Sequence, residues 1–145
     1  TSHDAGESVD YRVDCGDAAV GILTDTGFVP EPAAAALTGV DLLVLESNHD
    51  VEWLRSGPYP YSLKQRILGQ RGHLSNEDAA AFARRMAECG TRCIVLAHLS
   101  RENNTPQRAL AVMETALSGL DVTVEVAPRG ELSACYGAEV ALCRK

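Results

Sequence analysis

R-C-I-V-L-A-H-L-S-R-E-N-N, residues 92 to 104, is the stretch that decides how this chain folds. Cys93 to Ala97 is apolar, carries β-branched Ile94 and Val95 and is too short for a helix, which marks a strand buried inside a sheet. The strand delivers His98 into a polar loop at its carboxyl end. Two other apolar runs end in the same way: Ala19 to Thr24 empties into Asp25, and Asp41 to Leu45 empties into Glu46. In open α/β sheets, ligands and catalytic groups gather outside the carboxyl ends of the strands. A lone histidine after a strand is more often a hydrogen-bonded loop residue than a ligand. Three ends carrying Asp, Glu and His together predict one shared site.

Working outward, Ser8 to Asp14 alternates around Val9, Tyr11 and Val13 and predicts a half-exposed strand, turning at Cys15-Gly16-Asp17 into a second strand at Ala18 to Thr24. Pro30 to Leu37 predicts a short helix with proline in its first turn. The strand Asp41 to Leu45 follows, then a one- or two-turn helix around Val51 to Arg55. Gly57 to Pro60 must be irregular because neither proline fits inside a helix or a central strand. A helix resumes at Ser62 to Leu68. Ser75-x-x-Asp78 opens the best helix of the chain with a capping-box-like pairing, and Gly90 ends it. Beyond the strand at Cys93, Thr105-Pro106 starts a helix through Leu117, and Val122 to Val126 alternates with period two. The tail from Glu131 to Cys143 predicts one or two edge strands. Strands alternating with helices, without repeats or an internal linker, predict one α/β unit over residues 1 to 145.

At 145 residues, 46% hydrophobic and 23% charged, the chain has the composition of an ordered globular domain. Its apolar runs are too short for a membrane span, and no charged-then-apolar leader opens it. It starts at Thr1 rather than Met and is read as cut or processed. Five cysteines in odd number, with no C-x-x-C pair, disfavour both a disulfide framework and a cysteine zinc site, and favour the reducing cytoplasm. The net charge of −7 restricts any nucleic-acid binding to a local patch.

Six blocks, in order over residues 1 to 127, carry a resemblance: T-S-H-D-A-G-E-S-V-D-Y (1–11), L-T-D-T-G-F (23–28), L-E-S-N-H-D (45–50), G-P-Y-P-Y-S-L-K-Q-R-I (57–67), G-H-L-S-N (72–76) and L-A-H-L-S-R-E-N-N-T-P (96–106). Together they resemble the second half of a metallo-β-lactamase-fold hydrolase, most closely the nuclease-related YycJ (WalJ) branch. The fold so implied is half of an αββα sandwich. The activity so implied is phosphodiester hydrolysis, most specifically 5′-to-3′ exonuclease action on DNA, by hydroxide held between two divalent metal ions, zinc or manganese.

By the same resemblance, His3 matches the histidine after the first loop, Asp25 the bridging carboxylate and His98 the final histidine of the metal set. Carboxylate and neutral imidazole are ligands that suit zinc or manganese. His73 matches a histidine facing the scissile phosphate, able to steady charge or protonate the leaving oxygen. Glu46 matches a position that supports the ligands from behind. His49 and Asp50 are read as helix-capping loop residues. Lys64, Arg66 and Arg71 either bring positive charge beside His73 or are scattered surface charge.

The family's H-x-H-x-D-H loop, which supplies most ligands of both metals, has no match here; the four histidines stand isolated at 3, 49, 73 and 98. The expectation is therefore the carboxyl-terminal part of a longer domain, inactive alone, with one sheet face exposed and prone to aggregation or dimerisation. The competing expectation is a non-catalytic half-fold or a binding module with an incomplete metal site.

Overall fold

The computed structural model describes residues 9–132. Ser8, most of the alternating tail, Cys135, Cys143 and the expected ligand His3 lie outside the described residues. Ten elements follow in order: β1 (Tyr11–Cys15), β2 (Ala18–Leu23), α1 (Glu31–Leu37), β3 (Leu42–Glu46), α2 (Val51–Ser56), α3 (Tyr61–Leu68), α4 (Asn76–Glu88), β4 (Cys93–Ala97), α5 (Pro106–Ala116) and β5 (Thr123–Val126). The sheet order is β1-β2-β3-β4-β5, antiparallel at β1/β2 and parallel in the other three pairs. This is the expected α/β arrangement.

Each helix begins where its cap chemistry places it. Ser75 Oγ accepts from the Asp78 N–H at 3.0 Å and opens α4. Thr105 caps α5 by accepting from the Arg108 N–H, with Pro106 at the first helical position. Asp50 caps α2 through the Trp53 N–H. The parallel connections β2-α1-β3, β3-α4-β4 and β4-α5-β5 cover one sheet face. Leu23, Leu43, Leu45, Ile94 and Leu96 point into that face and are buried against Ala34 and Leu37 of α1, Ala83 and Met86 of α4, and Met113 of α5.

On the opposite face Val95 is buried, Val20, Ile22, Leu42 and Val44 are half-buried and Val13 is exposed. The sequence is apolar on both faces, as a parallel strand with two covered faces requires, yet among the described residues the helices cover only one. At the edges, all five residues of β1 are exposed and all four of β5 are half-buried. The alternation in both strands is therefore not matched by alternating burial, because edge strands lack a neighbour on one side. Arg12 ties β1 down by donating to the Ala36 and Thr38 carbonyls at the end of α1, both at 2.9 Å. Among the described residues, no helix is long and apolar enough to cross a membrane.

Candidate metal centre

Parallel register brings three strand ends side by side: Leu23 pairs with Leu45, and Glu46 with Ala97. Asp25, Glu46 and His98 therefore converge, as their sequence positions predict. The loop before α4 adds His73 from outside the sheet. Two glycines permit this approach. A Cβ on Gly27 would lie 2.4 Å from the Gly69 carbonyl oxygen, so the Asp25 loop packs backbone to backbone on the His73 loop, and one on Gly72 would lie 2.0 Å from the Ile67 carbonyl oxygen, so the His73 loop folds tightly against the end of α3. Asp25 and His98 both take φ of 56°, the left-handed region that non-glycine residues seldom occupy. Such a conformation costs on the order of 1 kcal/mol or more at each residue.

Glu46 is the hub. Its side chain is fully buried, and Oε1 accepts from His73 Nδ1 at 2.8 Å and His98 Nδ1 at 2.6 Å. Its Oε2 accepts the backbone N–H of Thr26 at 3.1 Å and of Leu74 at 3.3 Å. Burial alone would raise its pKa. The hydrogen bonds from His73 and His98 outweigh burial and hold it down at about 2. An ionised carboxylate can only accept, so both imidazoles must carry a proton on Nδ1. In the neutral ring that puts the lone pair on Nε2, the nitrogen that ligates a metal when a carboxylate holds the other. The bond to Glu46 also raises the His98 pKa, against the opposing effect of burial.

His98 Nε2 lies 3.7 Å from Asp25 Oδ1. Two donors each 2.0–2.2 Å from a zinc-sized ion stand at most about 4.4 Å apart, so this pair has the spacing of a shared ion. Asp25, Glu46, His73 and His98 each bring a ligand-type atom within 4.8 Å of the others. The His73 and His98 rings sit 5.2 Å apart, tilted by 56°. The cluster has the donor types of a divalent-metal site, and its Asp25–His98 pair has the spacing of one.

Around this hub runs a buried amide network that the sequence did not single out. Asn48 Nδ2 donates to the His98 carbonyl at 2.9 Å, and the Ser100 N–H donates to the Asn48 carbonyl at 2.8 Å. Asn104 Nδ2 donates to the Ser47 carbonyl and to Asn76 Oδ1, while Ser47 Oγ donates to Asn76 Oδ1. These contacts clamp the His98 loop to the loop after β3 and to the start of α4. Their only signal in the sequence was the polar runs S-N-H-D and R-E-N-N behind two strands.

Two expectations need correction. Asp50 does cap α2, but His49 caps nothing. It is 1% exposed, it bridges to Ser75 through the backbone, and neither ring nitrogen has a hydrogen-bond partner among the described residues. Burial first, then the nearby His73, lowers its pKa to about 4 and keeps the ring neutral. Lys64 turns away, donating to the Arg55 carbonyl at 2.7 Å, whereas Arg66 and Arg71 line a cleft together with His73 and His98.

The chain is 45% identical over 125 residues to the exodeoxyribonuclease WalJ of Streptococcus pneumoniae, covering 86% of this chain and 46% of that protein. It is homologous to the WalJ/YycJ exodeoxyribonucleases. The exodeoxyribonuclease YycJ of Bacillus anthracis is 44% identical over 108 residues, or 74% of this chain and 41% of that protein. The chain thus spans less than half the length of these WalJ and YycJ relatives. No protein-family model matches it. Among solved structures, a diphosphatase of the PhnP family aligns over 89% of this chain and 44% of its own, at 15% identity and a TM-score of 0.48.

Proposed function

We propose that these residues are the carboxyl-terminal part of a dinuclear metal-dependent phosphodiesterase of the metallo-β-lactamase fold, acting as a 5′-to-3′ exodeoxyribonuclease. The observation that carries this is the buried Glu46 carboxylate fixing both His73 and His98 by Nδ1, beside an aspartate 3.7 Å from His98 Nε2. A merely structural histidine pair has no need of matched tautomers and a neighbouring carboxylate. The relatives named as exodeoxyribonucleases give the substrate class.

Asp25 and His98, with His3 from the amino-terminal segment, would hold the divalent ions, zinc or manganese. Such cations activate water at neutral pH and stabilise charge on phosphoryl oxygens. The chain's own residues supply the rest. Glu46 orients both imidazoles through their Nδ1–H groups. His73, when protonated, keeps Nδ1–H on Glu46 and offers Nε2–H to the leaving oxygen. In a longer domain, an amino-terminal half would supply the H-x-H-x-D-H loop and a second sheet to bury the apolar face that the described helices leave half-covered.

The test compares this chain with a version extended upstream to the full reading frame. Elemental analysis is expected to find about two metal ions in the extended protein and none, or one held weakly, in the 145-residue chain. The extended protein should degrade 5′-labelled DNA, and His98→Ala should abolish that activity. An extended protein that is metal-free, or that hydrolyses no phosphodiester when metal-loaded, overturns this assignment in favour of a binding module.

A further inference from the structure

We propose that single-stranded nucleic acid crosses the centre along two arginine-lined clefts that meet at the His98–Leu99 loop, with Arg71 holding backbone phosphate on one side and Arg101 on the other. The proposal rests on the phosphodiesterase assignment and specifies its substrate path. The first cleft, about 430 Å³, has Tyr59, Arg66, Arg71 and His73 in its wall beside His98 and Leu99. The second, about 570 Å³, lies across the same two loop residues and is walled by Arg101, Val126, Pro128 and Arg129. Each has the volume of a small-molecule site, suited to a nucleotide-sized unit rather than a duplex.

Charge distribution is what points to a polyanion. The sequence holds 20 acidic residues against 13 lysines and arginines, yet among the described residues neither cleft wall contains an aspartate or glutamate and together they contain four arginines. The remaining arginines of the described residues are engaged with carboxylates: Arg12 with Asp14, Arg55 with Glu52, Arg84 with Glu88, Arg85 with Glu31, Arg92 with Asp121 and Arg108 with Asp50. Arg129 donates to the Leu99 and Ser100 carbonyls, which stiffens the loop between the clefts.

Arg71 and Arg101 are different. Both are exposed, and neither makes an ion pair or side-chain hydrogen bond among the described residues. A guanidinium with open donors suits phosphate contact. Tyr59, half-buried in the first cleft, offers a ring on which a base can stack. A net charge of −7 thus coexists with a local cationic track, because six arginines of the described residues outside the clefts pair with carboxylates while Arg71 and Arg101 keep their donors open.

The test uses the full-length protein and fluorescence anisotropy with a labelled single-stranded oligonucleotide of roughly 20 nucleotides, titrated between about 50 and 200 mM salt. Arg71→Gln and Arg101→Gln should each raise Kd by about 3- to 10-fold and reduce the salt slope by about 0.7, and the double variant should combine both losses. Arg84→Gln, outside both clefts, should bind within about twofold of wild type. Wild-type affinity in the double variant, an effect from one side only, or an equal loss in Arg84→Gln would overturn the track. Binding is read without turnover, so the two assignments fail separately. Variant-sensitive binding by a protein that hydrolyses nothing sinks the phosphodiesterase alone. Hydrolysis of a small phosphodiester with variant-insensitive oligonucleotide binding sinks the track alone.

Discussion

β3 carries a carboxylate at each end, and the two do the same topological job with opposite consequences. Asp41, just before the strand, accepts the Ala19 N–H on Oδ2 at 2.8 Å, donates its own N–H to the Ala19 carbonyl, and offers its carbonyl to the Arg92 and Cys93 N–H groups. It ties β2, β3 and β4 at their amino ends, and its partners are all backbone. Glu46 ties the same three strands at their carboxyl ends, but two of its four partners are imidazoles. Backbone partners make a joint. Imidazole partners would make a site under the proposed assignment, because each ring anchored at Nδ1 presents Nε2 on its far side.

The sharpest way to break this comparison is to remove a reactive group. In the full-length protein, His98→Ala should cut DNA hydrolysis to background and lower the metal content, read by assay and elemental analysis; retained activity would mean that the carboxyl end is as structural as the amino end. Glu46→Gln comes next. Its amide keeps one acceptor oxygen but turns an NH2 donor onto either the two imidazole N–H groups or the Thr26 and Leu74 N–H groups, so about a 10- to 100-fold loss of activity or metal affinity is expected. Proton NMR should show the ring N–H resonances of both histidines displaced from their wild-type positions.

A smaller effect should come from His49, buried in the loop beyond Glu46. Its pKa is about 4 in the fold, below the ordinary value of 6.5. The unfolded chain therefore binds the extra proton first as pH falls, and stability conferred by the neutral ring is present above about pH 6.5 and lost toward pH 4. The loss is on the order of 2 kcal/mol, read as urea midpoints at pH 7 and pH 5. His49→Phe should flatten that slope, since the ring nitrogens have no hydrogen bonds to lose. The least effect is expected from Asp41→Ala, which removes one acceptor and about 1 kcal/mol of stability while leaving specific activity within about twofold. An activity loss matching that of Glu46→Gln would erase the distinction between the two ends.

The strands and the capped helices were legible because their signals are local: β-branched runs, Ser75 and Thr105 before helices, Pro106 at a first turn. The convergence of Asp25, Glu46 and His98 was legible for a related reason, since neighbouring parallel strands of similar length must end together. His49 was misread because a polar loop residue beside a cap looks the same in sequence whether its ring points outward or inward. Lys64 was grouped with Arg66 and Arg71 on proximity in sequence alone, while its reach to the Arg55 carbonyl depends on how α2 and α3 meet.

By itself, then, the sequence determined which side chains arrive at the carboxyl edge of the sheet, through strand length, direction and the residue that follows each strand. Only the tertiary structure decided that one buried carboxylate lies between two imidazoles 27 and 52 positions away from it in the chain, and which arginines find a carboxylate. Those outcomes depend on contacts between distant segments, and no local propensity encodes them.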